Sequence, residues 1–269
     1  MSRMQFYPLD HTDLRLFVRH YWKVKTLLSA SPTLLLPMDH VDLILCPPDT
    51  FEYGDGENKI VPAGFHFHGV RRKSISVKAL KETQVWGVSF QPWGFQPILR
   101  AAMKSFTDGI MLLKDHHPGL NETLFKRMEN SQNDEAVVTE LDEALSSMLM
   151  TSDQETEHMK LISGFIETSP ESIRSYCERA GISRRHFERL FNHYVGVSPK
   201  NYCQIRQFEM SSRELLYEKN ESSLTMVGCD SGYYDQSHFI RHFKEYTTYT
   251  PRRFQEKRPA LKSRLFQKK

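Results

Sequence analysis

The stretch "HFERLFNHYVGVSPKNY" occupies positions 186 to 202, and the chain reads "HFIRHFKEYTTYTPRRF" from position 238 to 254. Six of the seventeen aligned positions are identical: His186/His238, Phe187/Phe239, Arg189/Arg241, Phe191/Phe243, Tyr194/Tyr246 and Pro199/Pro251. Two more, Ser198/Thr250 and Tyr202/Phe254, are near-equivalent. In the first copy Phe187, Leu190, Phe191 and Tyr194 recur at helical spacing, which is the buried stripe of an amphipathic helix. Ser183 precedes that helix as an N-cap. Upstream, Ser169 and Pro170 are expected to open a shorter helix that turns Ile173, Tyr176 and Cys177 inward. Gly181 ends it in a left-handed turn. The second copy repeats the grammar. Leu224 and Val227 face inward, Gly228 stands where the first copy has Cys177, Gly232 makes the turn and Asp235 caps. Phe239, Phe243 and Tyr246 form the stripe. The turn is one residue longer than in the first copy.

A short helix, a glycine turn and a second helix with a polar outer face make a helix-turn-helix. Two such units are predicted, at about 170–194 and 222–246. The stretch between them, "SPKNYCQIRQFEMSSRELLYEKN", starts on Ser198-Pro199 and predicts a helical strut rising about 1.5 Å per residue. Dimeric helix-turn-helix proteins set two reading helices roughly 34 Å apart by symmetry. Two copies fixed by a strut can do so within one chain. On the first reading helix the outward residues are Arg184, Arg185, Glu188 and Arg189; on the second they are Gln236, Ser237 and Arg241. Arginine can grip guanine O6 and N7, glutamine adenine N6 and N7, and glutamate can accept from cytosine N4. The alternatives are surface charges paired locally and, for Arg189 and Arg241, an internal ion pair that holds helices together. Phe187, Phe191, Phe239 and Phe243 are read as core.

The second copy, "VGCDSGYYDQSHFIRHFKEYTTYTPRRFQ", resembles the signature of the AraC/XylS family of bacterial transcription regulators. The matching features are the small-residue position, the Gly-aromatic turn, Asp-x-Ser-x-Phe, Arg-x-Phe-Lys, then Thr-Pro and a terminal aromatic-basic pair. The resemblance covers about residues 160–258. Two departures stand out: Gly228 replaces the usual alanine, and Thr248 stands where glycine is common. The resemblance implies a DNA-binding domain over residues 158–258 that reads double-stranded promoter DNA, and an activator that contacts RNA polymerase. Residues 1–150 are similar, more loosely, to an N-terminal domain found on some members of that family. The shared outline is "YPLDHTDLRLFVRHYW", "LLLPMDHVDLIL" and "VWGVSFQPWGFQPIL". In the family such a domain senses a small-molecule effector or carries homodimer contacts.

The residues of the first half support an α+β reading. "TLLLP", "HVDLILCPP", "ISVKAL" and "QVWGVSFQP" are short strand-like runs closed by turn residues. They predict a small N-terminal β-barrel, cupin-like, with accessory helices at "PILRAAMKSF", "NETLFKRMEN" and "NDEAVVTELDEALSSMLM". The polar "TSDQETE", residues 151–157, is read as a linker, and residues 259–269 as a basic tail that either touches phosphate or frays.

Composition narrows the function. The chain has 269 residues and a net charge of +3, but residues 160–269 carry 20 Lys+Arg against 12 Asp+Glu. The rest is net acidic, so one half suits a polyanion and the other does not. No apolar run reaches membrane-spanning length and the N-terminus lacks a secretory core, and a cytoplasmic protein is expected. The four cysteines are scattered and read as reduced thiols. No phosphate-binding glycine loop, serine-nucleophile motif or carboxylate pair is visible, so no enzyme activity and no cofactor is assigned. "FHFHG" puts His66 and His68 on one strand face, as in metal-binding cupins. The basic "VRRKS" that follows would repel a cation, and no metal is assigned. His116-His117 reads as loop. Trp86, Trp93, Phe65 and Phe67 are read as barrel core, with an effector pocket as the alternative. Two other classes stay open: a cupin-type metalloprotein with a helical appendage, and an interaction protein whose helix-turn-helix no longer binds DNA.

Overall fold

The computed structural model describes residues 4–257 apart from 10, 12, 29–31, 55–56, 150, 171 and 218–223. The expected basic tail therefore lies outside the described residues. Among the described residues no helix is long and apolar enough to cross a membrane.

The first hundred residues form strands, as their short apolar runs demand. They are β1 (Gln5–Tyr7), β2 (Val18–Lys25), β3 (Thr33–Leu35), β4 (Asp42–Leu45), β5 (Phe51–Tyr53), β6 (His66–His68), β7 (Ile75–Ala79) and β8 (Gln84–Phe90), with β9 (Ile110–Leu112) following. Six of them join in the order β1-β2-β8-β4-β6-β9, and the other three in the order β3-β7-β5. Every strand pair is antiparallel. The half is sheet-rich as expected, but hydrogen bonding among the described residues leaves two separate sheets and does not close the expected barrel. The central strand β8 shows why. Trp86, Val88 and Phe90 enter the main core, while Val85 packs with Trp22, Ile44 and Cys46 on the opposite face. Both faces of the larger sheet are covered, so its strands read as apolar runs more than as alternation.

The expected helix at "PILRAAMKSF" is broken. α1 (Gln96–Leu99) stops at Arg100, which takes a left-handed conformation with φ 54°, and a 3-10 turn follows at Met103–Phe106. Of the histidine pair expected in a loop, the first ends α2 (Leu113–His116), while the second lies between helices as expected. The second caps α3 (Pro118–Glu129), its Nδ1 accepting from Leu120 N–H at 3.1 Å. α4 (Asp134–Met148) starts on Asn133, and Val137, Leu141 and Leu145 are buried as their spacing requires.

The expected linker is another correction. Thr151 and Ser152 lie outside helix, but α5 (Asp153–Thr168) takes in the rest of that stretch. Ser152 and Glu155 form a reciprocal capping box, which supplies a helix start that polarity alone concealed. The remaining helices are α6 (Ile173–Arg179), α7 (Arg184–Tyr194), α8 (Pro199–Tyr217), α9 (Leu224–Asp230), α10 (Gln236–Thr247) and α11 (Pro251–Glu256). Ser169 does not open α6 as expected. It ends α5 in a left-handed conformation, and Ser172 caps α6 instead. A Ser-Pro pair can equally follow a helix end, because proline cannot continue one. Most of the buried apolar residues of both halves form one continuous cluster, with Trp22, Ile44, Cys46 and Val85 set apart on the other face of the larger sheet.

Candidate nucleic-acid interface

The two repeated segments build equivalent cores. Phe187 and Phe191 are fully buried with ring centroids 5.6 Å apart, and so are Phe239 and Phe243 at 5.6 Å. Phe191 meets Tyr202 of the next helix at 5.4 Å, and Phe243 meets Phe254 of its next helix at 5.1 Å. Ser183 accepts from His186 N–H and Asp235 from His238 N–H, so both second helices are capped at the same register. Gly181 and Gly232 turn with φ of +66° and +83°, which an L side chain adopts only with strain. These aromatic contacts fix which face of α7 and α10 is left outside.

That outer face carries every residue read from the sequence as a DNA contact. Arg184, Arg185 and Arg189 on α7 are exposed and Glu188 is half-buried; Gln236, Ser237 and Arg241 on α10 are exposed. The faces differ in how committed they are. Arg184 pairs with Glu188 at 2.8 Å, and Arg189 reaches His186 Nδ1 at 3.1 Å. The side chains of Arg185, Gln236, Ser237 and Arg241 make no hydrogen bond or ion pair among the described residues. Neither Arg189 nor Arg241 forms the internal ion pair weighed as an alternative. α8, the strut, has 19 residues, which corresponds to about 28 Å of helix.

Sequence reasoning missed one residue at this surface. Tyr234 is 93% exposed, one position before the cap of α10. Its neighbour Tyr233 is buried and hydrogen-bonds His242 Nδ1 at 3.0 Å. The signal was available, since of two consecutive aromatics in a tight turn only one can face the core.

The structure also reveals how the sheet half holds the helical half. Asp39 is fully buried and forms a bidentate pair with Arg19, at 3.0 and 3.1 Å. His40 Nδ1 donates to the same carboxylate at 2.7 Å. From α8, Tyr202 donates its hydroxyl to Asp39 Oδ2 at 2.9 Å, Arg206 reaches it at 3.3 Å, and Glu209 accepts from the Asp39 backbone N–H at 3.2 Å. Burial opposes the Asp39 charge, yet Arg19 and His40 hold its carboxyl well below the usual range. His40 is pushed up to about 9 because Asp42 and Asp39 outweigh its burial and the Arg19 charge. Burial and the Asp39 charge raise Glu209 to about 7. Asp39, His40 and Glu209 have the spacing of a metal site, but two guanidiniums already neutralise the carboxylate and oppose a cation. No sequence signal announces this cluster, because its partners on α8 lie 163 to 170 positions away.

Further contacts reach the reading helices themselves. Gln96 lies 3.1 Å from His193 near the end of α7, and Thr107 donates to the Gly196 carbonyl at 2.6 Å. Ser74 donates twice to the Tyr246 carbonyl near the end of α10, at 2.8 and 2.9 Å. Trp86, Trp93 and Phe67 are buried in the core, consistent with the packing role expected of them. His66 and His68 do share a face, but both ring nitrogens of His66 are engaged and Arg71 adjoins His68. That arrangement does not fit a cation.

Comparison with known proteins divides the chain in the same way. Residues 176–257 match a family described as a helix-turn-helix domain, and residues 9–111 match a domain of unknown function (DUF6597). An uncharacterized HTH-type transcriptional regulator of Haemophilus influenzae is 26% identical over 84 residues, 31% of this chain and 28% of that protein. A regulator of the same description from Staphylococcus aureus is 26% identical over 90 residues, 34% of this chain and 12% of that one. This chain thus matches less than a third of the length of either relative. The crystal structure of ToxT from Vibrio cholerae superposes with a TM-score of 0.47 at 13% identity, covering 88% of this chain and 97% of that one. The paired aromatic cores and the capped second helices agree with that match: the chain carries an AraC-type helix-turn-helix domain over residues 176–257, preceded over residues 9–111 by a domain of unknown function.

Proposed function

We propose that the chain is a sequence-specific DNA-binding regulator of transcription, acting as an activator in the cytoplasm. In this reading α7 and α10 enter neighbouring major grooves on one side of promoter DNA. Arg185, Arg189 and Glu188 read or position the first, and Gln236, Ser237 and Arg241 the second, with Arg184 placed for phosphate or base at the helix start. The observation that carries the reading is the duplication itself: two aromatic cores of matching geometry each present a polar outer face, tied by one helix. The two faces differ in sequence, so the preferred site need not be a palindrome. The sheet half is the regulatory part. It grips the strut through Asp39 and the reading helices through Gln96, Thr107 and Ser74, and an effector or a homodimer partner would act by changing those contacts. RNA polymerase is the partner through which activation would run.

Selection of genomic fragments by the purified full chain, followed by affinity measurement across salt, tests the reading. Neutralising five to eight phosphates predicts a slope of log affinity on log salt of roughly −5 to −7. A flat response, or no enrichment of particular fragments, would overturn it.

A further inference from the structure

The larger sheet encloses a polar cluster that the DNA-reading function leaves unused. His66 and His68 on β6 point to the same buried side, and Tyr53 of β5 packs edge-on against both, at 5.5 and 4.9 Å. Beyond β6 the chain turns to Arg71, whose backbone is fixed by two 3.1 Å hydrogen bonds to Met38. The Arg71 residue is 4% exposed.

The hydrogen-bond accounting of this cluster does not close. Arg71 Nη1 lies 3.4 Å from His68 Nδ1. A guanidinium can only donate, so His68 Nδ1 accepts and the ring proton sits on Nε2. That Nε2, together with Arg71 Nε and Nη2, is buried without a hydrogen-bond partner. The two nearest carboxylates make their hydrogen bonds to other groups. Asp42 stands opposite His68 in the sheet register, but its Oδ1 takes the Ser89 hydroxyl at 2.5 Å and faces His40 Nε2 at 3.5 Å. Asp108 is held by the Arg72 guanidinium and backbone. His66 Nδ1 donates to the Gly64 carbonyl, so its Nε2 accepts the Tyr53 hydroxyl proton. The result is three buried donors with no hydrogen-bond acceptor, Asp42 and Asp108 acting on the Arg71 charge only through space. Buried polar groups in folded proteins are almost always satisfied, and an unpaired buried charge is among the costliest exceptions.

We propose that Arg71 and His68 form a binding site for a small carboxylate inside the N-terminal sheet domain. The two unmatched guanidinium nitrogens, Nε and Nη2, share one edge and project parallel N–H groups, the fork that fits the two oxygens of a carboxylate. His68 adds a third donor, and Tyr53 and His66 wall the site. A cation is the wrong occupant because the cluster is positive. Burial and the adjacent Arg71 charge keep His68 neutral, its pKa held well below the ordinary value, which preserves the acceptor at Nδ1 and the donor at Nε2. The site adjoins both holds on the helical half: Met38 precedes Asp39, and Ser74 is the residue that binds the end of α10.

The proposal deepens the sensing role given to this domain, and its test needs no DNA. Thermal unfolding and calorimetry of the full chain are compared with acetate, butyrate and benzoate, with the matching amides, and with chloride at equal ionic strength. Saturable stabilisation by at least one acid, and none by its amide or by chloride, is the expected result. Acids and amides acting alike, or no acid exceeding chloride, overturns it. In Arg71→Met the acid response disappears while the acid-free protein is no less stable, because a buried unpaired charge is gone. A retained acid response in that variant also overturns the assignment. Should the variant not fold, the acid-against-amide contrast in the unaltered chain decides alone. Binding of acid without DNA affinity, or the reverse, separates this site from the DNA-reading function.

Discussion

The two helix-turn-helix copies share a core, and four of the aligned positions at which they differ set their packing apart. The first difference is Tyr202 against Phe254. Both rings pack on the preceding helix, but only Tyr202 carries a hydroxyl, and that hydroxyl reaches Asp39 in the sheet half. Next is Gly196 against Thr248. Both sit at positive φ, +97° and +65°. At Gly196 an added Cβ would lie 2.9 Å from the Met103 carbonyl, so glycine there serves the close approach of the two halves. At Leu190 and His242 the copies differ in polarity, His242 being buried and bonded to Tyr233. Burial and the His238 charge lower His242 to about 4, so it stays neutral in the core. Finally, Cys177 against Gly228 leaves the second helix crossing with no side chain, and an added Cβ would meet the Phe239 ring at 3.3 Å. The comparison teaches that the repeat keeps a packing scheme, while single atoms at its edges give the first copy more of the side-chain contacts with the sheet half, through Tyr202, His193 and Gly196, than the second has through Tyr246.

The largest effect should come from the shared core. Phe187→Ala and Phe239→Ala are each expected to cost about 3–5 kcal/mol, from lost burial and the cavity left behind. Urea unfolding that showed one of them nearly neutral would break the equivalence of the copies. Asp39→Ala comes next, at about 3 kcal/mol, because removing one partner strands Arg19. Tyr202→Phe writes the second copy's residue into the first and should cost about 1.5–3 kcal/mol, the range for a bond to a charged acceptor. Limited proteolysis between the halves should accelerate in both variants, whereas Phe254→Tyr should change nothing there.

The same cluster sets a pH dependence. His40 titrates at about 9 in the folded chain, above its ordinary value of 6.5, so the stability it lends is full below 6.5 and is lost as pH rises through 9. Glu209, raised to about 7 from 4.5, works in the same direction and loses its contribution as pH rises through 7. The hold on α8 should therefore loosen between pH 7 and 9, which proteolysis of the unaltered chain at both pH values will show. Tightening over that interval would contradict the assignment.

DNA affinity sharpens the comparison of the outer faces. Arg185→Ala and Arg241→Ala should each weaken binding by about 1–3 kcal/mol on the preferred fragment. Loss confined to one variant would assign sequence reading to one copy. The smallest effect is expected at the left-handed pair. Thr248→Gly should stabilise by about 1 kcal/mol by relieving a strained φ, while Gly196→Thr should destabilise. A scan of melting temperature for the two variants distinguishes them.

Much of the helical half was legible from local grammar. Caps at Ser183 and Asp235, turns at Gly181 and Gly232 and stripes at helical spacing each act within a few residues, so the sequence alone determined both units, their strut and the outward set from Arg184 to Arg241. Where a local signal had two uses, the reading slipped. Ser169-Pro170 closes a helix instead of opening one, and "SDQE" caps a helix inside an apparent linker. The sheet half was legible as strands but not as a topology, because which strands pair is set by long-range contacts that no short pattern encodes. What only the tertiary structure decided are the places where distant residues meet, Asp39 with Tyr202 and Arg206 and Ser74 with Tyr246, and the burial of Arg71 with two guanidinium nitrogens lacking an acceptor. A buried charge takes its meaning from neighbours brought together by folding, and those neighbours leave no trace in the residues beside it.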